Sequence, residues 1–111
     1  MFKVLITNHF KRQLKGLAKK DANLKGALIN KLNSFSKVRT IHISSGIFKM
    51  RLARSGQGKS GGYRLYVYIF EIEGYLTPIC IHAKNERGSI KLNEAMEHLS
   101  IVKEEVRLMV N

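Results

Sequence analysis

A chain of 111 residues holds one hydrophobic core and has no room for a second domain, and its 44% hydrophobic and 25% charged side chains exclude a disordered segment. Twenty lysines and arginines against eight acids give a net charge of +12, which points to a polyanionic partner, and no apolar run approaches the ~20 residues of a membrane-spanning helix. The charge is also uneven: residues 1–64 carry fifteen basic side chains and one acid, Asp21, for +14, while residues 65–111 sum to −2.

That localisation favours nucleic acid over a merely solvated surface. A membrane surface fits less well, because no segment joins a basic face to large exposed apolar residues. The opening stretch MFKVLITNHFKRQ lacks the apolar core of a secretion signal, so a cytoplasmic location is expected. Cys80, the only cysteine, lies in the apolar run TPICIHA and reads as a small buried hydrophobe.

Residues 2–6, FKVLI, predict a short strand, after which Thr7 or Asn8 can cap a helix. Phe10, Leu14 and Leu17 then recur at helical spacing, with Lys11, Arg12, Lys15, Lys19 and Lys20 around the outside. Asp21 can cap a second helix whose stripe is Leu24, Leu28, Leu32 and Phe35. From residue 47 the period changes to two. Phe48, Met50 and Leu52 alternate with Lys49 and Arg51; Leu65, Val67 and Ile69 with Arg64, Tyr66 and Tyr68; Ile79, Ile81 and Ala83 with Cys80, His82 and Lys84. Glu73 and Gly74 predict the hairpin turn between the last two strands, and Pro78 predicts a gap in the ladder or a bulge. Leu92, Met96, Leu99, Val102 and Val106 mark a closing helix capped by Ser89 or Asn93.

The expected fold is therefore a single α+β domain over residues 1–111, in the order β-α-α-β-β-β-α, with an antiparallel sheet. Its apolar face would carry the two N-terminal helices. Its other face would gather Lys49, Arg51, Arg64, Tyr66, Tyr68, His82 and Lys84, cations and phenols suited to a polyanion.

Residues 53–60, ARSGQGKS, loosely fit the phosphate-cradling pattern [AG]-x-x-x-x-G-K-[ST]. Such a loop must open a helix whose N-terminal amides hold the phosphates. Here it leads into GGYRLYVYIFEIE, whose alternation predicts a strand, so the glycines read as a turn displaying Arg54 and Lys59.

The run KMRLARSGQGKSGGYRLYVYIF, followed by HAKNERGSI, resembles the RelE superfamily of bacterial type II toxins, with the HigB-type branch as the nearest likeness. The basic helical N-terminus and closing helix match as well, so the resemblance covers nearly the whole chain. It implies an mRNA interferase that cleaves messenger RNA on the ribosome, needs no metal or other cofactor, and is silenced by an acidic antitoxin from the adjacent gene. The sequence permits this, having no His/Cys or carboxylate spacing suited to a metal.

In metal-free cleavage the 2′-hydroxyl attacks its neighbouring phosphate. That reaction needs a base, an acid at the leaving oxygen, and cations where charge develops. Arg64 matches the family arginine after the paired glycines, and its fork suits phosphate. Lys84, from the AKNE block, is the acid-base candidate. Tyr68 could orient the nucleophile or stack on a base, and His82 is the one ordinary imidazole in the group, although the family commonly has tyrosine or another residue there. Arg51, Arg54, Lys59 and Lys49 are expected to grip the RNA backbone. The helical cations Lys11, Arg12, Lys15, Lys19, Lys20, Lys25 and Lys31 are expected to face ribosomal RNA. Competing readings are a non-nuclease, ParE-like gyrase inhibitor and a basic nucleic-acid-binding module. Against these stand the retained Arg64 and Lys84 and the lack of a helix-turn-helix signature.

Overall fold

The computed structural model describes residues 2–54 and 61–110. The first strand is short: only Lys3–Val4 (β1) joins the sheet. Thr7 then caps helix α1 (Asn8–Ala18), its hydroxyl accepting the Phe10 amide at 3.2 Å. Phe10 and Leu14 are buried, and the predicted basic residues Lys11, Arg12, Lys15, Lys19 and Lys20 are all exposed. Helix α2 (Leu24–Asn33) follows and buries Leu24, Leu28 and Leu32, each contributing roughly 2 kcal/mol of apolar transfer. Asp21 does not cap it in the predicted way. Its carboxylate instead accepts the Asn23 amide at 3.1 Å, forming a turn ahead of the helix.

A 3-10 turn, Lys37–Arg39, leads to a strand that the sequence reading omits, β2 (Ile41–Ser44). It pairs antiparallel with β3 (Ile47–Leu52). Between them Gly46 has φ +78°, and a Cβ there would stand 2.7 Å from Cε1 of Tyr68, so both the turn and the ring below it require glycine. β4 (Tyr63–Phe70) and β5 (Tyr75–Ala83) complete a hairpin through the predicted Gly74 turn, with Gly74 at φ +77°.

Among the described residues the sheet has five strands in the order β1-β5-β4-β3-β2, and it is mixed, because β1 runs parallel to β5. At Pro78, which has no amide hydrogen to donate, the β4–β5 register slips between Tyr66 and Val67. This bulge turns Ile79 away from the α1/α2 side, where alternation had put it, into the opposite apolar cluster with Cys80. The side chain of Gln13 then serves as a strand partner for β5, donating to Ile79 O and accepting from Ile81 N, both at 3.2 Å.

Helix α3 (Leu92–Val110) corrects the two-faced picture. It lies across the face expected to be open and buries Ala95, Leu99, Val102 and Val106 against Ile47, Tyr66, Ile79 and Cys80. Leu92 and Met96, predicted on its inner stripe, point outward. Burial pushes the Cys80 thiol up to about 12, consistent with an inert core cysteine. Glu105 of α3 accepts the amides of Asn8 and His9, both at 2.9 Å, placing a carboxylate on the positive end of α1. His9 Nε2 and His98 Nδ1 meet at 2.7 Å in the same seam. No helix among the described residues is long and apolar enough to cross a membrane.

Candidate functional site

With α3 covering the middle of the sheet, its exposed cations collect at one end, where β3 finishes, β4 begins and β5 finishes. Arg51 and Arg64 are direct cross-strand partners there, and His82 is the next residue across. Like charges directly opposite destabilise a sheet, so this pair costs stability wherever no anion accompanies it.

Two adjoining cavities open at this end. The first, about 320 Å³, is lined by Lys31, Arg39, Lys49, Arg51 and Arg64, with Ile41 and Met50 as its apolar wall. The second, about 450 Å³, is lined by Lys31, Arg51, Arg54 and Lys84 together with Tyr63 and the backbone at Leu52, Ala53 and Gly62. Lys31 and Arg51 belong to both, and no described carboxylate lines either. Gly62 is buried in the wall of the second, where a Cβ would come within 2.7 Å of Leu52 O; its own carbonyl accepts the Lys84 amide at 2.8 Å. That bond fixes the backbone of Lys84 one residue past the end of β5.

The cations are held with different firmness. Arg64 donates to Ser89 Oγ at 3.3 Å, and its buried Nε has no hydrogen-bond partner. Lys49 donates to the same Oγ at 2.9 Å. Arg54 is tied back, donating to Lys20 O at 2.9 Å and lying 3.7 Å from Asp21 Oδ2. Asp21 also accepts the Tyr63 hydroxyl at 2.8 Å, and burial together with this bond pushes Tyr63 up to about 12. The one acid of the basic block is thus buried behind the cavities and occupied.

Lys84 and Arg64 lie at the same end of the sheet but line different cavities, linked through Lys31 and Arg51. Strand parity had grouped Lys84 with His82. The strand ends at Ala83, so alternation no longer governs Lys84, which shares its cavity with Tyr63 and Leu52 from the α1/α2 side. Arg51 and Lys49 stand where expected. Lys11 and Arg12 are exposed on α1 and line neither cavity, and Lys59 lies outside the described residues. The phosphate-cradle reading required a helix after residue 60, and strand β4 stands there instead.

Tyr68 and His82 line neither cavity. Tyr68 packs edge-on against Phe70 with ring centroids 4.8 Å apart, under the ammonium of Lys103 at 5.0 Å. His82 is only 9% exposed, with Nε2 3.3 Å from the Tyr66 hydroxyl and Nδ1 3.2 Å from Ala83 O. Tyr66 in turn accepts the Ile90 amide at 3.1 Å. The consistent proton arrangement has Tyr66 donating to Nε2 and Nδ1–H donating to Ala83 O, which is a neutral ring. Burial holds its pKa below the usual imidazole value, against the raising effect of the Ala83 bond.

His9 and His98 are held low in the same way, burial leading in both, with Arg12 adding to it for His9 and His9 itself for His98. A folded-state pKa below the unfolded one means that the unfolded chain binds more protons, so stability present above pH ~6.5 is lost progressively as pH falls from there through the lowered folded-state pKa. Thermal melts are expected to show the midpoint falling between pH 7.5 and 5. A midpoint that is flat or rises over this window contradicts the neutral-imidazole assignment.

One lining cation was missed by the sequence reading: Arg39 sits in a stretch to which no periodicity assigned a face. Lys31 is an exposed helical cation as expected, and its place beside the Leu28–Leu32 stripe of α2 also brings it to the edge of both cavities. Among the described residues no group of three or more His, Cys, Asp or Glu side chains is arranged to hold a metal.

No curated protein matches the chain. A family model does, over residues 2–109, described as the RelE toxin of the RelE / RelB toxin-antitoxin system. The match takes in every element from β1 into α3 and both cationic cavities, and by it this chain belongs to the RelE toxin family, the toxin half of a toxin-antitoxin pair.

Proposed function

We propose that the protein is an endoribonuclease that cleaves messenger RNA, using its own side chains rather than a metal, with the ribosome presenting the substrate and an acidic antitoxin blocking the cleft. The observation that supports this most directly is the pair of adjoining cavities lined by cations from α2, the 3-10 turn, β3, β4 and the end of β5, with no described carboxylate among them. Cations drawn together in cavities that no described carboxylate lines suit a chain of phosphates.

In this reading Arg64 and Lys49 meet the scissile phosphate and stabilise the phosphorane oxygens as charge builds, which is where preorganised cations contribute most. Lys84, which lines the second cavity, is the residue we assign to proton transfer at the attacking 2′-hydroxyl or the leaving 5′-oxygen. Lys31 and Arg51, common to both cavities, bridge the scissile and neighbouring phosphates, with Arg39 and Arg54 at the two ends. Lys11, Arg12 and the other exposed α1 cations extend the positive surface toward structured RNA. His82 and Tyr68 act through packing.

Attack by the 2′-hydroxyl leaves a 2′,3′-cyclic phosphate and a 5′-hydroxyl. Purified toxin incubated with translating ribosomes and messenger RNA in excess chelator for free transition metals is therefore expected to generate new 5′ ends by primer extension, with cyclic phosphate on the upstream fragment. Intact message alongside nicked or relaxed DNA in expressing cells would replace this reading with a gyrase target.

A further inference from the structure

Ser89 lies outside both cavities, between two anchors. Two residues before it, Arg87 grips Glu94 through two hydrogen bonds of 2.9 and 2.8 Å, and the residue after it, Ile90, is buried with its amide on the Tyr66 hydroxyl. The Ser89 hydroxyl is thereby held at a set position above β3 and β4. There it accepts from Lys49 Nζ at 2.9 Å and from Arg64 Nη1 at 3.3 Å. A hydroxyl oxygen has two lone pairs and one proton, so both acceptor sites are occupied by cations and the proton remains available to an anion.

One neutral oxygen therefore gathers two positive groups that no described carboxylate pairs with, no further apart than the two bonds laid end to end. Coulomb repulsion would otherwise separate them. For the Arg64 guanidinium this is the one side-chain hydrogen bond among the described residues, and its Nε has no partner. The buried Tyr66–His82 pair supports the arrangement from beneath: Tyr66 holds Ile90, and His82 orients the Tyr66 hydroxyl.

We propose that Ser89 is a positioning residue whose Oγ holds Lys49 Nζ and Arg64 Nη1 close together, so that a phosphate oxygen arriving beside that hydroxyl meets both cations already in place. The inference rests on the nuclease reading above. It predicts a change in turnover rather than in affinity, because long RNA is held by many cations and Ser89 acts on the two at the scissile phosphate.

The experiment compares Ser89→Ala and Ser89→Thr with the parent protein in steady-state cleavage of one RNA, with melting midpoints recorded beside the rates. Ser89→Ala is expected to lower kcat about tenfold with KM little changed, the size of one hydrogen bond to a charged group. Ser89→Thr, which keeps the hydroxyl, is expected to recover most of that loss. Ser89 is exposed, so both variants are expected to melt like the parent. An unchanged kcat in Ser89→Ala, a loss confined to KM, or a failure of threonine to rescue each overturns the positioning role while leaving the nuclease reading intact. A parent protein that cuts no RNA overturns both.

Discussion

Replacing Arg64 with alanine is expected to lower the rate of RNA cleavage by two to three orders of magnitude, the effect of deleting one preorganised charge donor at a developing oxyanion, and to abolish growth arrest on expression. The guanidinium lies at the start of β4 opposite Arg51, lines the first cavity and is held by Ser89. It is only half-buried, so its removal opens a little space and leaves no polar partner stranded in the core. Circular dichroism and the melting midpoint should stay close to the parent's. Removing one of two directly opposed arginines relieves repulsion, so a slight rise in the midpoint is expected. Arg64→Lys keeps a charge but loses the two-pronged donor geometry, and its rate should fall between the two. Single-turnover rates at saturating protein make the comparison; an Arg64→Ala rate within about threefold of the parent would remove Arg64 from the chemistry.

The largest stability effect is expected at Asp21. Its carboxylate accepts the Tyr63 hydroxyl and the Asn23 amide and neutralises Arg54, and it is 9% exposed. Asp21→Ala leaves the 3% exposed Tyr63 hydroxyl without that acceptor and releases the turn before α2. A hydrogen bond to a charged group contributes about 1.5–3 kcal/mol; the buried Tyr63 bond carries most of the loss, since the Asn23 amide is only part-buried and Arg54 is screened with its side chain a third exposed, so the expected loss is roughly 2–3 kcal/mol in total. For a domain of this size that lowers the melting midpoint by roughly 10–15 °C. Asp21→Asn retains an acceptor for Tyr63 and should lose less. Binding should move the other way: freeing Arg54 into the second cavity strengthens RNA affinity and steepens its dependence on salt. Chemical denaturation together with RNA titration at two salt concentrations reads both effects, and an alanine variant as stable as the parent would show that Tyr63 and Arg54 find other partners.

The elements with strong local periodicity were legible from the chain alone. Thr7 caps α1 because a hydroxyl just before an apolar 3.6-residue repeat has a free helix amide to receive. Leu24, Leu28 and Leu32 had one face to bury, and β3, β4 and the Gly74 hairpin followed from alternation and a glycine able to take positive φ. Asp21 as the only acid in the first 64 residues already marked the basic half of the molecule.

Contacts between elements distant in sequence decided the rest. The IHIS segment is only four residues long and becomes β2 because β3 supplies a ladder beside it. Pro78 announced a break, but the direction in which Ile79 turns depended on the apolar underside of α3 waiting there. Period-two alternation states that Tyr66, Tyr68 and His82 share a side; it cannot state that the C-terminal helix α3 will cover them, which is why these three became core and support. Lys31 and Arg39 entered the cavities for the complementary reason. Alternation within strands cannot report a helix flank or a turn brought to the sheet's end by packing. Charge content and element type are properties of local chain and were set by the sequence, whereas which cations converge on one phosphate-sized space is a property of how the layers stack.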